Sequence, residues 1–384
     1  MAKATSTPGP TAGTGVGVVD LRQGRGQLPP PAAVLAEGAR RFGELGHSYS
    51  PAEGLPVFRA AVADKLRRHS NLSVDPATGV VTTVGATGAL IAALMAMLNA
   101  GEGVLLLEPF DDRYRTALET LNLRPEPVRL TGPRFEITEK SLRAAVTGRT
   151  RAMILCTPGN PSGRRYTEAE LRIVSAVADE HDLVVISDEV FSDIAFGAAA
   201  HVAPAAVGGL GNRTLTISAL SPTFSLPGWR LGYVCGPEPL IGPVKVAADA
   251  LVGCAPTPLQ EIGAKALTVG EEYYSELRGR YAAKRRLLID GFRAAGLAPN
   301  EPEGSWFLLV DCSRLGAASG VEAAELLLRG GGIATVPGET FYLNPPDRPY
   351  VRASFALPDA VLADAADRLA RLPWPGRSAD KQRM

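Results

Sequence analysis

The chain has 384 residues, 46% hydrophobic and 21% charged, with 40 Lys and Arg balanced by 40 Asp and Glu. This composition supports one large core and a smaller second domain, and it carries no basic excess to neutralise a phosphate backbone, so no nucleic-acid partner is expected. Four cysteines without a C-x-x-C pair and four histidines without metal-ligand spacing argue against a disulfide framework or a zinc site; they point to buried small residues in a reducing, cytoplasmic setting.

From the start of the chain, MAKATSTPGPTAGTG is small, polar and proline-bearing, and reads as a flexible arm rather than a signal peptide. The runs GVVTTV (79–84), GVLLLE (103–108), RAMILCT (151–157), LVVISDE (183–189) and TLTIS (214–218) are apolar throughout, which suits strands covered on both faces. GALIAALMAML (88–98) is too short to cross a bilayer and predicts a buried helix, so no membrane partner is expected. EAELRIVSAVADEH (168–181) has helical periodicity. The alternation predicts an α/β fold: a three-layer α-β-α large domain with a mostly parallel sheet.

A charged amphipathic segment at 270–296 leads to strand-like SWFLLVDC (305–312), a helix over 321–329 and strand-like YVRASFA (350–356), a smaller α+β domain. The expected organisation is 1–48 as arm and part of the small domain, 49–285 as the large domain, and 286–384 as the small domain, ending in a solvated tail. In open α/β sheets ligands bind outside the carboxyl ends of the strands. The polar punctuation falls at those ends: Gly85, Ala86 and Thr87, then 157–163, Asp188, and 218–230.

Each cluster has a physical reading. VGATGALIAAL places glycines and a threonine where a helix begins, and free N–H groups there attract an anion. In TPGNPSG two prolines flank Asn160 and fix its direction. Asp188 in SDEVF ends an apolar strand, where a carboxylate needs a cationic or N–H partner. Arg352 lies in an otherwise apolar strand, as a carboxylate-binding arginine would.

Together these motifs resemble the class I/II aminotransferases, the fold-type I pyridoxal-phosphate family. The resemblance runs from VVDLRQGRGQLPPP (18–31) through YSPAEGLPVFR, GATGAL, TPGNPSG, SDEV, GWRLGY and VPGETF to YVRASFA, nearly the whole chain. It implies that Asp188 pairs with the pyridine nitrogen and Asn160 with the ring oxygen. Ala86, Thr87 and Arg230 would hold the phosphate, with Tyr49 reaching it from the second subunit of a homodimer. Arg352 would grip a substrate carboxylate through a two-point fork.

Four positions depart from that pattern. In SALSPTFSLPGWR, Pro222 stands where the family has its Schiff-base lysine, and proline offers no amine and no backbone N–H. Phe191 replaces a tyrosine hydroxyl, Ala219 a serine, and Asp111 in EPFDDRY an aromatic ring that would stack on the pyridine. Lys65, Lys140, Lys245, Lys265 and Lys284 read as solvated surface charges, and Arg230 could instead pair with Glu189.

The sequence therefore leads to an aminotransferase-fold enzyme acting on an amino-acid-like or carboxylated small molecule without an internal aldimine. Pyridoxal or pyridoxamine phosphate would be bound non-covalently or not used. His47, Asp111 and Asp188 are the candidate catalytic groups. A conventional transaminase with a displaced lysine and a non-catalytic ligand-binding protein are the alternatives.

Overall fold

The structure is a computed structural model, and it describes residues 17–24, 29–44, 46–130, 132–197 and 201–372. Seven strands form the main sheet, in the spatial order Val80–Val84, Leu231–Cys235, Thr214–Ala219, Val184–Asp188, Thr150–Cys156, Gly103–Glu108, Arg124–Arg129. Leu231–Cys235 runs antiparallel to both of its neighbours, and the others are parallel to one another. The mostly parallel sheet is as expected.

Period-two alternation divides each central strand between two cores. Leu106, Ile154 and Ile186 face a core shared with Leu90 and Leu94 of the Gly85–Met97 helix and Val244 of the Glu238–Val252 helix. Leu105, Met153 and Val185 face the opposite core, with Leu171, Val174 and Val177 of the Glu168–Glu180 helix. Two covered faces explain why these strands carry apolar residues on both sides. The Glu168–Glu180 helix starts on a capping box, Thr167 with Glu170, which satisfies two first-turn donors.

Arg124–Arg129 was not visible as a strand in the sequence, because RPEPVR carries two prolines and little apolar character. It lies at the edge of the sheet, where a missing N–H is tolerated.

The later part of the chain forms a smaller antiparallel sheet, Val336–Pro337, Tyr350–Ser354, Phe307–Asp311, Ala298–Pro299. The 24-residue helix Glu271–Ala294 packs beside it and places Leu288 and Phe292 with Leu308, Val310 and Val351. Val19–Asp20 pairs in parallel with Ile333–Ala334, tying the start of the described chain to this region. Cys156, Cys235 and Cys312 are buried thiols, and Cys254 is half-buried. No helix among the described residues is long and apolar enough to cross a membrane.

Two of the lysines differ from the surface expectation. Lys65 is 3% exposed and paired with Asp193, and Lys284 is 8% exposed and bonded to Asp359 and the Leu357 carbonyl. Both sit on helices whose periodicity turned them inward, a direction that a charged residue type disguises.

Candidate active site

The carboxyl ends of the strands converge as their order requires. Thr214–Ala219 is followed at once by a short helix, Leu220–Thr223, in which Pro222 is buried. Pro222 is the third residue of that helix. First-turn N–H groups have no intrahelical acceptor, so a proline here gives up no helix hydrogen bond.

The anion end of the cleft is assembled. The Gly85–Met97 helix begins where its strand ends, and the Arg230 guanidinium lies against Gly85, where an added Cβ would be 2.4 Å from Nη2. Gly85 has φ +68° and Arg230 φ 52°, both left-handed, which turns the two segments toward each other. Gly232 lets them close: a Cβ there would stand 2.5 Å from the Gly85 carbonyl carbon. Thr87 and Arg230 are exposed at this end, and Arg230 donates to the Pro227 carbonyl at 3.1 Å. Buried Glu189 belongs instead to His201, 2.8 Å away, so the expected alternative pairing of Arg230 with Glu189 is corrected.

The ring end is filled differently. Asp111 caps the Asp112–Thr120 helix, accepting from the Arg113 N–H at 3.0 Å, and its carboxylate is held by the Arg113 guanidinium at 2.5 and 2.9 Å. It also accepts from Asn160 Nδ2 at 2.7 Å. Burial opposes its ionisation, but Arg113 and Asn160 outweigh that and hold the carboxyl below its usual range. Asn160 Oδ1 in turn accepts from Arg352 Nη1 at 2.9 Å. Arg113, Asp111, Asn160 and Arg352 thus form one chain of bonds.

Arg352 is 8% exposed, and its guanidinium is sandwiched between the rings of Phe307 and Phe341, 4.2 and 4.7 Å from their centroids. Nη2 donates to the Arg22 carbonyl at 2.9 Å, while the buried Nε has no acceptor. Burial lowers its pKa to about 10. Phe191, where a hydroxyl was expected, packs edge-on against Trp306 at 5.0 Å and Phe307 at 6.1 Å.

Asp188 ends its strand in the middle of the sheet, in register with Cys156 and Ile217. It is buried, accepts from the Tyr114 hydroxyl at 2.8 Å and from the Val190 N–H at 3.3 Å, and burial pushes it up to about 6. Tyr114 and Arg113 were not singled out in the sequence; only their position, two and three residues after Asp111, hinted at them. His47 is exposed, its ring against Phe42 at 5.5 Å, and Tyr49 is 90% exposed. Within one chain neither meets the groups above among the described contacts.

Pyridoxal phosphate, which the resemblance implies, fits these residues only at one end. The helix start and Arg230 suit a phosphate. The ring end offers no amine at Pro222, no hydroxyl at Phe191, a carboxylate in place of a stacking ring, and an Asn160 amide already given to that carboxylate. It does not fit a covalently held cofactor ring.

Comparison with known proteins agrees with the fold. The family model for aminotransferase class I and II matches residues 13–369. A probable N-succinyldiaminopimelate aminotransferase of Mycobacterium tuberculosis is 34% identical over 330 residues, covering 85% of this chain and 83% of that protein. The methionine aminotransferase of Escherichia coli is 29% identical over 354 residues, covering 92% of each. The solved structure of the N-succinyldiaminopimelate aminotransferase from Mycobacterium tuberculosis superposes with a TM-score of 0.88 over 92% of this chain and 93% of that one, at 34% identity.

Proposed function

The chain belongs to the class I and II aminotransferases, and on that premise we propose that it acts on an amino-acid-like or carboxylated small molecule without a Schiff-base lysine. What supports this is Pro222, buried in the first turn of a helix, at the position where the sequence resemblance puts the family's lysine. Arg352 takes the carboxylate, since a buried guanidinium with a spare Nε is matched by a two-oxygen anion. Asn160 orients Arg352 through its Oδ1. Pyridoxal or pyridoxamine phosphate is either held non-covalently, by Ala86, Thr87 and Arg230 with Asn160 and Asp188 behind, or not used.

A displaced lysine is disfavoured by the two buried candidates. Burial works against the charge on Lys65, but Asp193, Tyr233 and Tyr274 outweigh it and raise its pKa, so the amine stays a paired cation. Lys284 is tied to Asp359. A homodimer is supported by Tyr49 and by exposed Val246 and Val252. Val252 lines a cavity of about 350 Å³ together with Ala52, Thr87 and Arg230. We place the protein in the cytoplasm.

Borohydride reduction of the purified protein followed by mass spectrometry tests the reading. No cofactor adduct on any lysine is expected; a reducible adduct on one would return the chain to ordinary transamination.

A further inference from the structure

We infer that the chain carries a second small-molecule site, for an uncharged polyol of the monosaccharide or cyclitol kind, at the amino-terminal end of the Thr214–Ala219 strand. It goes beyond the function proposed above and does not depend on how the cleft around Pro222 works.

The site follows from where the strands stop. Leu231–Cys235 pairs with Thr214–Ala219 only as far as Cys235, opposite Thr216. The chain then passes Gly236 and Pro237 into the Glu238–Val252 helix, so Thr214 has no strand partner on that side. Val80–Val84 begins at the same level, with Val80 against Cys235. The gap is a cavity of about 470 Å³ between the segments 71–79, 205–212 and 236–238. That volume lies in the range of small-molecule pockets. The Pro222 turn follows the other end of the same strand, roughly 17 Å away.

Period-two alternation turns Leu215 and Ile217 into the core behind the sheet and leaves Thr214 and Thr216 at the floor of the cavity. Thr214 is fully buried, and its Oγ1 has no hydrogen-bond partner. Buried hydroxyls are ordinarily satisfied, because a lone one bears its full desolvation cost. Thr216 differs: its Oγ1 donates to Glu189 Oε1 at 3.3 Å. Burial keeps the Cys235 thiol beside them protonated. The floor is therefore neutral, with one hydroxyl unspent. Rotation about χ1 moves that hydroxyl between staggered positions, so it can turn to a ligand seated above it.

Around the rim, Asn71, Ser73, Thr78 and Asn212 are exposed, and their side chains make no hydrogen bond to another described residue. Amides and hydroxyls both donate and accept, which matches the hydroxyls of a polyol. No lysine, arginine or histidine lines the cavity, so nothing in it neutralises a phosphate or a carboxylate. Asp75 and Glu238 line it and are exposed, and Asp75 Oδ1 already accepts from the Ala77 N–H at 2.7 Å. At such exposure an ion pair with a ligand ammonium contributes little, whereas both carboxylates are strong acceptors for ligand hydroxyls. Leu72 and Ala205 add apolar surface for the C–H face of a ring.

The test is saturation-transfer NMR on the full chain with D-glucose, myo-inositol and glycerol, each at about 5 mM, and with spermidine as the cationic control. Inorganic phosphate, followed by ³¹P line broadening, is the anionic control. Melting is not the readout, because polyols at high concentration stabilise any protein by exclusion from its surface. At least one of the three polyols is expected to show transfer. Thr214→Val removes the hydroxyl and nearly keeps the shape, and should weaken that binding about tenfold or more. Asn212→Ala, at an exposed position, should weaken it about threefold and decides the matter if Thr214→Val does not fold. No transfer from any polyol overturns the proposal, as does transfer that folded Thr214→Val leaves unchanged. Where that variant does not fold, transfer unchanged in Asn212→Ala overturns it. A response to spermidine or phosphate that Asn212→Ala removes, with none to the polyols, also overturns it, since the cavity would then select a charge.

Discussion

Lys65 Nζ lies 2.9 Å from Asp193 Oδ2, and the same oxygen accepts from Thr223 Oγ1 at 2.8 Å. Thr223 follows Pro222 directly, and its carbonyl accepts from Tyr273 at 2.7 Å. The Pro222 turn is thus pinned from beneath by a lysine, acting through an aspartate. That ammonium has a structural task.

Lys65→Met should therefore lower stability by about 3–5 kcal/mol, because it strands a buried carboxylate. Lys65→Met with Asp193→Leu should recover much of the loss, measured by urea denaturation. Burial opposes ionisation of Asp193, but Lys65 holds its pKa below the ordinary value. Its contribution is thus complete above about pH 4 and disappears as acid reaches the lowered folded value.

Asp188 behaves in the opposite sense. Its folded value of about 6 lies above the ordinary value near 4, so the protonated group favours folding. That contribution is complete below about pH 4 and is lost as the pH rises through 6. Asp188→Asn should leave stability unchanged near pH 4 and raise it near pH 8, by up to roughly 3 kcal/mol. Denaturation curves at the two pH values give the comparison directly.

Pro222→Lys should fold, since no hydrogen bond depends on that backbone position, with a loss of about 1–3 kcal/mol from burying an amine without an acceptor. Alone it should give little borohydride-reducible adduct with added pyridoxal phosphate, because Asp111 still engages Asn160. Adding Asp111→Tyr frees the Asn160 amide and restores an aromatic face. The adduct fraction should then rise roughly tenfold, read by mass spectrometry.

Gly232→Ala should be among the most damaging single-methyl changes in the chain. Its Cβ would stand 2.5 Å from the Gly85 carbonyl carbon and 2.8 Å from the Ala86 nitrogen, both backbone atoms that cannot rotate away. We expect a loss of about 1–3 kcal/mol. Inorganic phosphate binding, followed by ³¹P line broadening, should weaken with it, because the strand and the helix start would be forced apart.

The sheet was legible because five of its strands are covered on both faces and so read as mainly apolar runs. Arg124–Arg129 and Leu231–Cys235 escaped, the first behind edge prolines, the second inside a motif that drew attention to its loop. At the site, Asn160, Asp188 and Arg230 stood out as polar residues beside strand ends, and Arg352 as a charge inside an otherwise apolar strand. What they bond to did not. Tyr114 and Asp188 are 74 positions apart, and Asn160 and Arg352 are 192 apart. No periodicity encodes such pairings; they follow from strand order and helix docking. Asp111 was read as a loss of stacking, and its service as a helix cap and amide acceptor became visible only in three dimensions.

Because Pro222 occupies a first-turn position, reagent and scaffold are separable in this protein. A thiol installed there by Pro222→Cys would sit inside the cleft without disturbing the ladder of strands behind it. Disulfide tethering of small fragments at that point would sample ligands in place, making the Pro222 turn an attachment site for a chemist's probe.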